Sequence, residues 1–366
     1  MANVKIDGFQ LFCLIVLFLF GTTIFLDIGS GAKQDAWILT LISPFSGLIL
    51  LTIYYHLHKR YPTLPLTEYI RKIWGKFLGS IFSYFYIIYF IYIASRVLRD
   101  IEEILINSAY YRTSITVVGI CMMFTLIYTV NFGFEVFARG ACICFLLIGF
   151  TLLMINIMFI ITDLIHLENL KPILADGWKP IIKALPLNVT VPYGELITLS
   201  MIFPYINKQT KILKTGMMAV LFAGIYFTLN ILLLICVLGT DVLSRSSFPT
   251  LKAASFIDIA GFIQRLDSFV IILVVFLGFI KITMFFFCAV IGISTLFKIK
   301  SSALSNYLVG GLILISSIII APSYQNHLDE GLKVVPYLLH IPLQIIIPLL
   351  LLLTVLIKGK IKNGMN

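Results

Sequence analysis

The sequence predicts an all-α polytopic membrane protein of ten transmembrane helices, arranged as two inverted halves of five with the first helix of each half discontinuous. Three observations carry this reading: the composition, the spacing of the apolar runs, and the residues that interrupt two of those runs. Of 366 residues, 60% are hydrophobic and 12% charged, and the mean hydropathy is +1.03. Soluble globular chains average about a quarter charged residues. A chain this apolar places its bulk in lipid rather than around an aqueous core.

Runs of about 20 apolar residues read against polar punctuation give the spans in order. The first, 9–32, contains the apolar run Phe9 to Ile28, which is longer than the ~7–15-residue core of a secretory signal and lacks its small-residue cleavage pattern. The second, 36–58, ends at His56-Leu-His58-Lys59-Arg60, read as an interfacial anchor rather than a metal pair. The third, 77–107, carries a run of tyrosines and ends in SRVLRDIEEI. The fourth and fifth, 114–132 and 134–161, are separated only by Asn131-Phe-Gly133. Next comes the longest hydrophilic connection, Asp163 to Lys183, whose mixed charge suits an ordered outward loop. The sixth span, 184–207, holds VPYGELITLSMIFPYINK; the seventh is 212–240, the eighth 258–297, the ninth 304–322 and the tenth 335–357. The chain thus reads as one membrane domain, with repeat one at 9–161, the loop at 162–183, repeat two at 184–357 and a short basic tail at 358–366.

The net charge of +10 comes from basic residues at the ends of apolar runs, where they act as topology signals, so no nucleic-acid partner is expected. Fifteen Lys and Arg fall on one side, Lys5, Lys208 and Lys300 among them, against eight on the other. Cytoplasmic loops retain positive charge, and both termini are therefore expected inside. All six cysteines lie in apolar runs and read as packing residues. Cys142-Ile-Cys144 lacks histidines at ligand spacing. No nucleotide loop, catalytic triad or metalloprotease helix is present, so neither an enzyme nor a cofactor is expected. Glu195 with Lys281 is the one pair worth testing against that view.

Five spans per half force the halves into opposite orientations, and such repeats bind substrate where helices are broken near the midplane. Span one reads FLFGTTIFLDIGSGA, with Gly21 followed by Thr22 and Thr23, then Asp27 and a Gly29-Ser-Gly31 loop. Span six reads VPYGELITLSMIFPY, with Pro204 and Lys208 marking its inner end. Breaks at Gly21 and after Gly194 would free backbone groups that lipid cannot satisfy. Half-helix N-termini attract a carboxylate and half-helix C-termini a cation, and a free amino acid presents both. Peptides, sugars and nucleobases remain open on this ground, and glycine also serves close helix packing.

Ionisable groups at membrane depth cost several kcal/mol unless paired or wet. Glu195 can cap amides, accept a ligand ammonium, pair with a base, or sit at the outer mouth of a short span. Lys281 lies sixteen residues beyond Arg265, roughly 24 Å along a helix; it either fills a cation site between spans one and eight in place of a coupling ion, or snorkels to the inner interface. Arg96, Arg99, Asp100, Glu102 and Glu103 read mainly as an interfacial charge network, with Arg99 and Glu103 one turn apart. Among Tyr84, Tyr86, Tyr89 and Tyr92, Tyr89 has the best depth to close over a ligand, although tyrosine stripes also serve packing and interfacial belts.

The opening DGFQLFCLIVLFLFGTTIF, then DAWI, YPTLPLTEYIRKIWGKFLGSIF, PYGE…FPYINK and RLDSFVIILVVFLGFIK together resemble the spore germination B-subunit permeases, the GerAB-like family of the amino acid–polyamine–organocation superfamily. The resemblance covers essentially the whole chain. It implies a fold similar to that of the bacterial leucine transporter. It also implies a subunit that joins an A-type and a lipid-anchored C-type partner in the spore inner membrane and recognises a small germinant, often an amino acid. An active amino acid transporter, a proton-coupled symporter or exchanger, is the alternative. Carried over by position, the family's ligand site falls on Gly21, Tyr89, Gly194 to Met201 and near Lys281. The candidate ligand-binding set is therefore Gly21, Thr22, Thr23, Tyr89, Gly194, Glu195, Thr198, Met201 and Lys281. A lysine at the last position departs from what alanine-responsive members lead one to expect, which leaves ligand identity and ion coupling open.

Overall fold

Asp7 begins the first helix by a reciprocal cap. Its carboxylate accepts from Gln10 N at 2.8 Å while the Gln10 side chain accepts from Asp7 N at 2.9 Å. Helix α1 (Gly8–Phe20) then runs until Gly21, where φ of +29° ends it. The chain continues as short turns through Leu26. This computed structural model describes residues 6–26, 29–207, 211–259, 263–264, 267–299 and 303–363. Asp27 and the topology residues Lys5, Lys208, Arg265 and Lys300 lie outside the described residues.

After a 3₁₀ turn (Ser30–Asp35) come α2 (Ala36–Arg60), the short α3 (Leu66–Trp74), α4 (Lys76–Ser108), α5 (Ile115–Phe132) and α6 (Phe134–Ile161). Gly133 separates α5 from α6, at the boundary expected from sequence. The sixth run comprises α7 (Lys179–Asn188), a π turn (Val189–Tyr193), a 3₁₀ turn (Gly194–Thr198), α8 (Leu199–Ile202) and a last 3₁₀ turn (Phe203–Tyr205) that contains Pro204. Helix α9 (Ile212–Arg245), kinked at Gly239, leads to α10 (Pro249–Ala254) and a two-residue hairpin, β1 (Asp258–Ile259) with β2 (Ile263–Gln264). Helix α11 (Asp267–Phe297) therefore starts later than the expected 258, because that hairpin occupies the connection. The chain closes with α12 (Ala303–Ile319), α13 (Tyr324–Lys333), a π-helical stretch (Pro336–Ile346) and α14 (Ile347–Asn363). The expected tail from 358 is thus partly helix, and Lys358 Nζ donates to Ile73 O at 2.6 Å.

Among the described residues, seven helical segments are long and apolar enough to cross a membrane, or eight if the bent pair α12–α13, at 105°, is one span. The two runs that fall short of this length are the two expected to be interrupted. Large apolar side chains such as Phe124, Leu146, Phe150 and Leu338 are more than 60% exposed, as lipid-facing surfaces require. The protein is an integral, multi-pass helical membrane protein.

Inside, α11 packs most extensively on α4, α2 on α9, and α1 lies among α6, α9 and α11. Helix α1 and the sixth run meet end to end: Ile6 N donates to Tyr205 O and Asn207 N to Ile6 O, both at 3.0 Å. The loop after α6 is ordered, as its mixed charge suggested. Lys33 pairs with Asp176 at 2.7 Å, Leu174 N donates to the Asp35 carboxylate at 2.9 Å, and Asn169 Nδ2 donates to Cys236 O at 3.0 Å.

Candidate functional site: a charged cavity between interrupted helices

The two breaks are equally far along the chain from the point where Ile6 meets Tyr205: fourteen residues separate Asp7 from Gly21, and fourteen separate Val191 from Tyr205. In the sixth run, however, the break is not after Gly194. Gly194 has helical angles (φ −65°, ψ −27°), whereas Val191 is extended (φ −123°, ψ 115°). The cause is Pro192, whose ring crowds the preceding residue out of the helical region. The small residue at 194 answers a different need: a Cβ there would overlap Gln344 Oε1.

At the break in α1, a Cβ on Gly21 would collide with the Lys281 side chain. The lysine stem runs past this glycine from α11, and its ammonium ends 2.6 Å from a Glu195 carboxylate oxygen; the two side chains are 1% and 4% exposed. The ammonium also stands 5.9 Å from the centre of the Phe18 ring. Lys281 does not snorkel to an interface. Each charge is compensated by the other, the condition under which such groups persist away from water.

This pair forms part of the wall of a cavity of about 70 Å3, whose other polar lining comes from Thr22, Arg96, Asp100, His327 and His340. Apolar lining comes from α4, α7 and α13. Arg96 and Asp100 were expected in an interfacial network, but an arginine and an aspartate four residues apart share one face of α4, and that face turns inward. Arg96 donates to the His327 carbonyl and to Tyr92 OH (3.1 Å), and lies 3.6 Å from Glu330. His327 Nε2 is 3.1 Å from Asp100 Oδ1. Together these contacts fasten α13 over the cavity. Arg99 and Glu103 do form the expected i,i+4 pair, at 2.7 Å, and Ser317 Oγ donates to Glu102 at 3.1 Å.

A second polar cluster backs the cavity. Tyr89 OH is 2.7 Å from His340 Nδ1, and Gln344 Nε2 lies 2.7 Å from Tyr89 OH and 3.1 Å from His340 Nδ1. Pro348 has no N–H, so the carbonyls of Gln344 and Leu343, one α-turn and one π-turn upstream, lose their helical donors. Tyrosine hydroxyls replace them: Tyr54 donates to Gln344 O and Tyr86 to Leu343 O, each at 2.6 Å.

Of the residues singled out in the sequence, Thr22, Glu195 and Lys281 line the cavity and Gly21 touches the lysine. Tyr89 stands behind His340. Gly194 receives the Tyr54 hydroxyl on its carbonyl at 3.4 Å and abuts Gln344. Thr198 donates to Glu195 O at 2.9 Å, and Met201 is fully buried; neither lines the cavity. Thr23 faces a separate, neutral cavity of about 50 Å3 with Ser43, Asn188 and Asn230. His58, expected at the interface, is instead buried against the Phe203 ring at 5.1 Å, while His56 bonds back to Thr52 O at 2.8 Å. Sequence reasoning missed His327, His340 and Gln344. The last two carried a usable signal, since they are polar residues four apart within an otherwise apolar run.

A charge-lined cavity beside two interrupted helices, in a chain with this many apolar helices, suits a membrane protein of the permease class. The chain belongs to the spore germination protein family, whose model matches residues 5–325. It is 38% identical to spore germination protein KB of Bacillus subtilis (strain 168) over 98% of this chain and 97% of that protein. It is 24% identical to spore germination protein YndE and 21% identical to spore germination protein A2 of the same organism, each over 73% of both chains.

Proposed function

We propose that this chain is the B subunit of a germinant receptor, and that it binds a small amino acid germinant in the cavity beside Glu195 and Lys281 and thereby starts spore germination. The observation that carries the ligand class is the charge inventory of the lining. Arg96 and Lys281 offset Asp100 and Glu195, so a ligand with no net charge fits best, and a zwitterion can address both signs. Family membership supports the germination role.

On this reading the short α1 and the broken sixth run complete ten spans in two inverted halves, similar to the leucine-transporter fold, with both termini cytoplasmic. The chain resides in the spore inner membrane with A-type and lipid-anchored C-type subunits. The Lys281 ammonium stands where a coupling cation would otherwise be needed.

The test is thermal stability of the purified chain in lipid nanodiscs against each common amino acid, alongside germinant profiling of spores lacking the chain. Stabilisation by one or a few amino acids that the mutant spores no longer sense supports the proposal. No stabilisation by any of them overturns the ligand class. Uptake of labelled amino acid by proteoliposomes of the isolated chain would make it a transporter instead.

A further inference from the structure

The Tyr89–His340–Gln344 cluster fixes which hydrogen the cavity wall presents. The Gln344 amide nitrogen can only donate, and it lies within reach of both Tyr89 OH (2.7 Å) and His340 Nδ1 (3.1 Å). One amide hydrogen goes to Tyr89 OH, the longer contact to Nδ1 at most shares the single lone pair taken by the tyrosine hydrogen, and the amide oxygen is the orphan, facing Gly194. Tyr89 OH accepts from Gln344, so its own hydrogen goes to Nδ1, at 2.7 Å. Nδ1 is therefore an acceptor, and a neutral imidazole with Nδ1 unprotonated carries its proton on Nε2.

His340 is 3% exposed and lines the cavity. Its Nδ1 edge is held by Tyr89 and Gln344, which leaves the Nε2 edge toward the cavity, and no acceptor for that N–H is found among the described residues. The other strong lining groups are already engaged with protein partners: Lys281 with Glu195, Asp100 with His327, and Arg96 with the His327 carbonyl. A donor in the cavity wall that meets no protein acceptor is left for water or a ligand to satisfy.

We infer that His340 is a specificity-determining residue of the site, its Nε2–H donating to a carboxylate oxygen of the germinant, with Tyr89 and Gln344 as positioning residues that hold the tautomer. The inference rests on the ligand class proposed above and adds the group that reads it. A site built to donate to an acceptor rejects the analogue lacking it, because the donor is then left unpaired.

Two isosteric variants separate the ring's edges. In His340→Asn the side-chain oxygen sits near the Nδ1 position, so the bonds from Tyr89 and Gln344 are kept while the cavity donor is lost. In His340→Gln an amide N–H₂ reaches toward the Nε2 position. The measurement is binding to the purified chain in nanodiscs of the amino acid that stabilises wild type and of its decarboxylated primary amine. Wild type should prefer the amino acid by about tenfold or more, His340→Asn should lose most of that preference, and His340→Gln should retain it to within about threefold. If His340→Asn folds and discriminates as wild type does, the role of His340 is overturned while the amino acid reading stands. If wild type binds no amino acid, both fall.

Discussion

Gly21 and Lys281 occupy each other's space: the glycine lacks the Cβ that would strike the lysine stem, and the lysine crosses the gap this leaves to reach Glu195. The interruption of α1 and the buried ion pair are therefore one feature. Gly21→Ala meets two penalties, a left-handed φ of +29° and displacement of the lysine. It should lower stability by about 1–3 kcal/mol and raise the germinant concentration needed for half-maximal response while membrane insertion continues. Dose-response curves at matched protein level check this; an unchanged curve counts against it.

Removing one member of the Lys281–Glu195 pair leaves the other charge buried and uncompensated. Lys281→Met and Glu195→Leu should each cost about 3–5 kcal/mol, whereas the double variant should recover most of that, since well-packed apolar pairs replace buried ion pairs at little cost. Thermal unfolding of the four proteins in nanodiscs gives the coupling. Additive losses would mean that the two charges do not compensate each other.

Gly194→Ala should push Gln344 off the Tyr89–His340 cluster and destabilise the protein by about 1–3 kcal/mol, as overpacking does. Gln344→Ala opens the space that the new methyl needs. The double variant should accordingly cost less than the sum of the singles, and a full sum would place the clash elsewhere.

Helix α13 is fastened over the cavity by Asp100 to His327 and by Arg96 to the His327 carbonyl. Asp100→Asn weakens one charge-assisted contact and should speed hydrogen exchange of α13 amides by about tenfold, equivalent to about 1.4 kcal/mol. Exchange at the wild-type rate would show that the contact does not hold the helix.

The sequence made some of this legible and hid the rest for physical reasons. Gly21 could be read because a glycine ahead of two threonines in an apolar run suits a break as well as close helix packing. Its counterpart in the sixth run lies three residues before Gly194, because Pro192 acts on Val191 through the backbone and glycine is the more conspicuous signal. The acid and base stood out within apolar runs and were the one pair worth testing, but their contact depends on α11 crossing both broken runs, which no local pattern encodes. Tyr89, singled out for its place near the middle of span three, touches a histidine rather than the cavity. His340 and Gln344 went unseen because neutral polar residues barely dent the hydropathy of a run rich in leucine and isoleucine. Arg96 and Asp100 looked interfacial because their neighbours Arg99 and Glu103 pair with each other one turn further on.

The most direct test is equilibrium binding of a labelled amino acid to the purified chain in nanodiscs, with wild type compared to Leu328→Trp, which adds bulk to the cavity from α13 and leaves Glu195 and Lys281 in the sequence. Saturable binding by wild type, lost in Leu328→Trp at unchanged thermal stability, is the result expected. Equal binding by both proteins would place the ligand elsewhere and contradict the account.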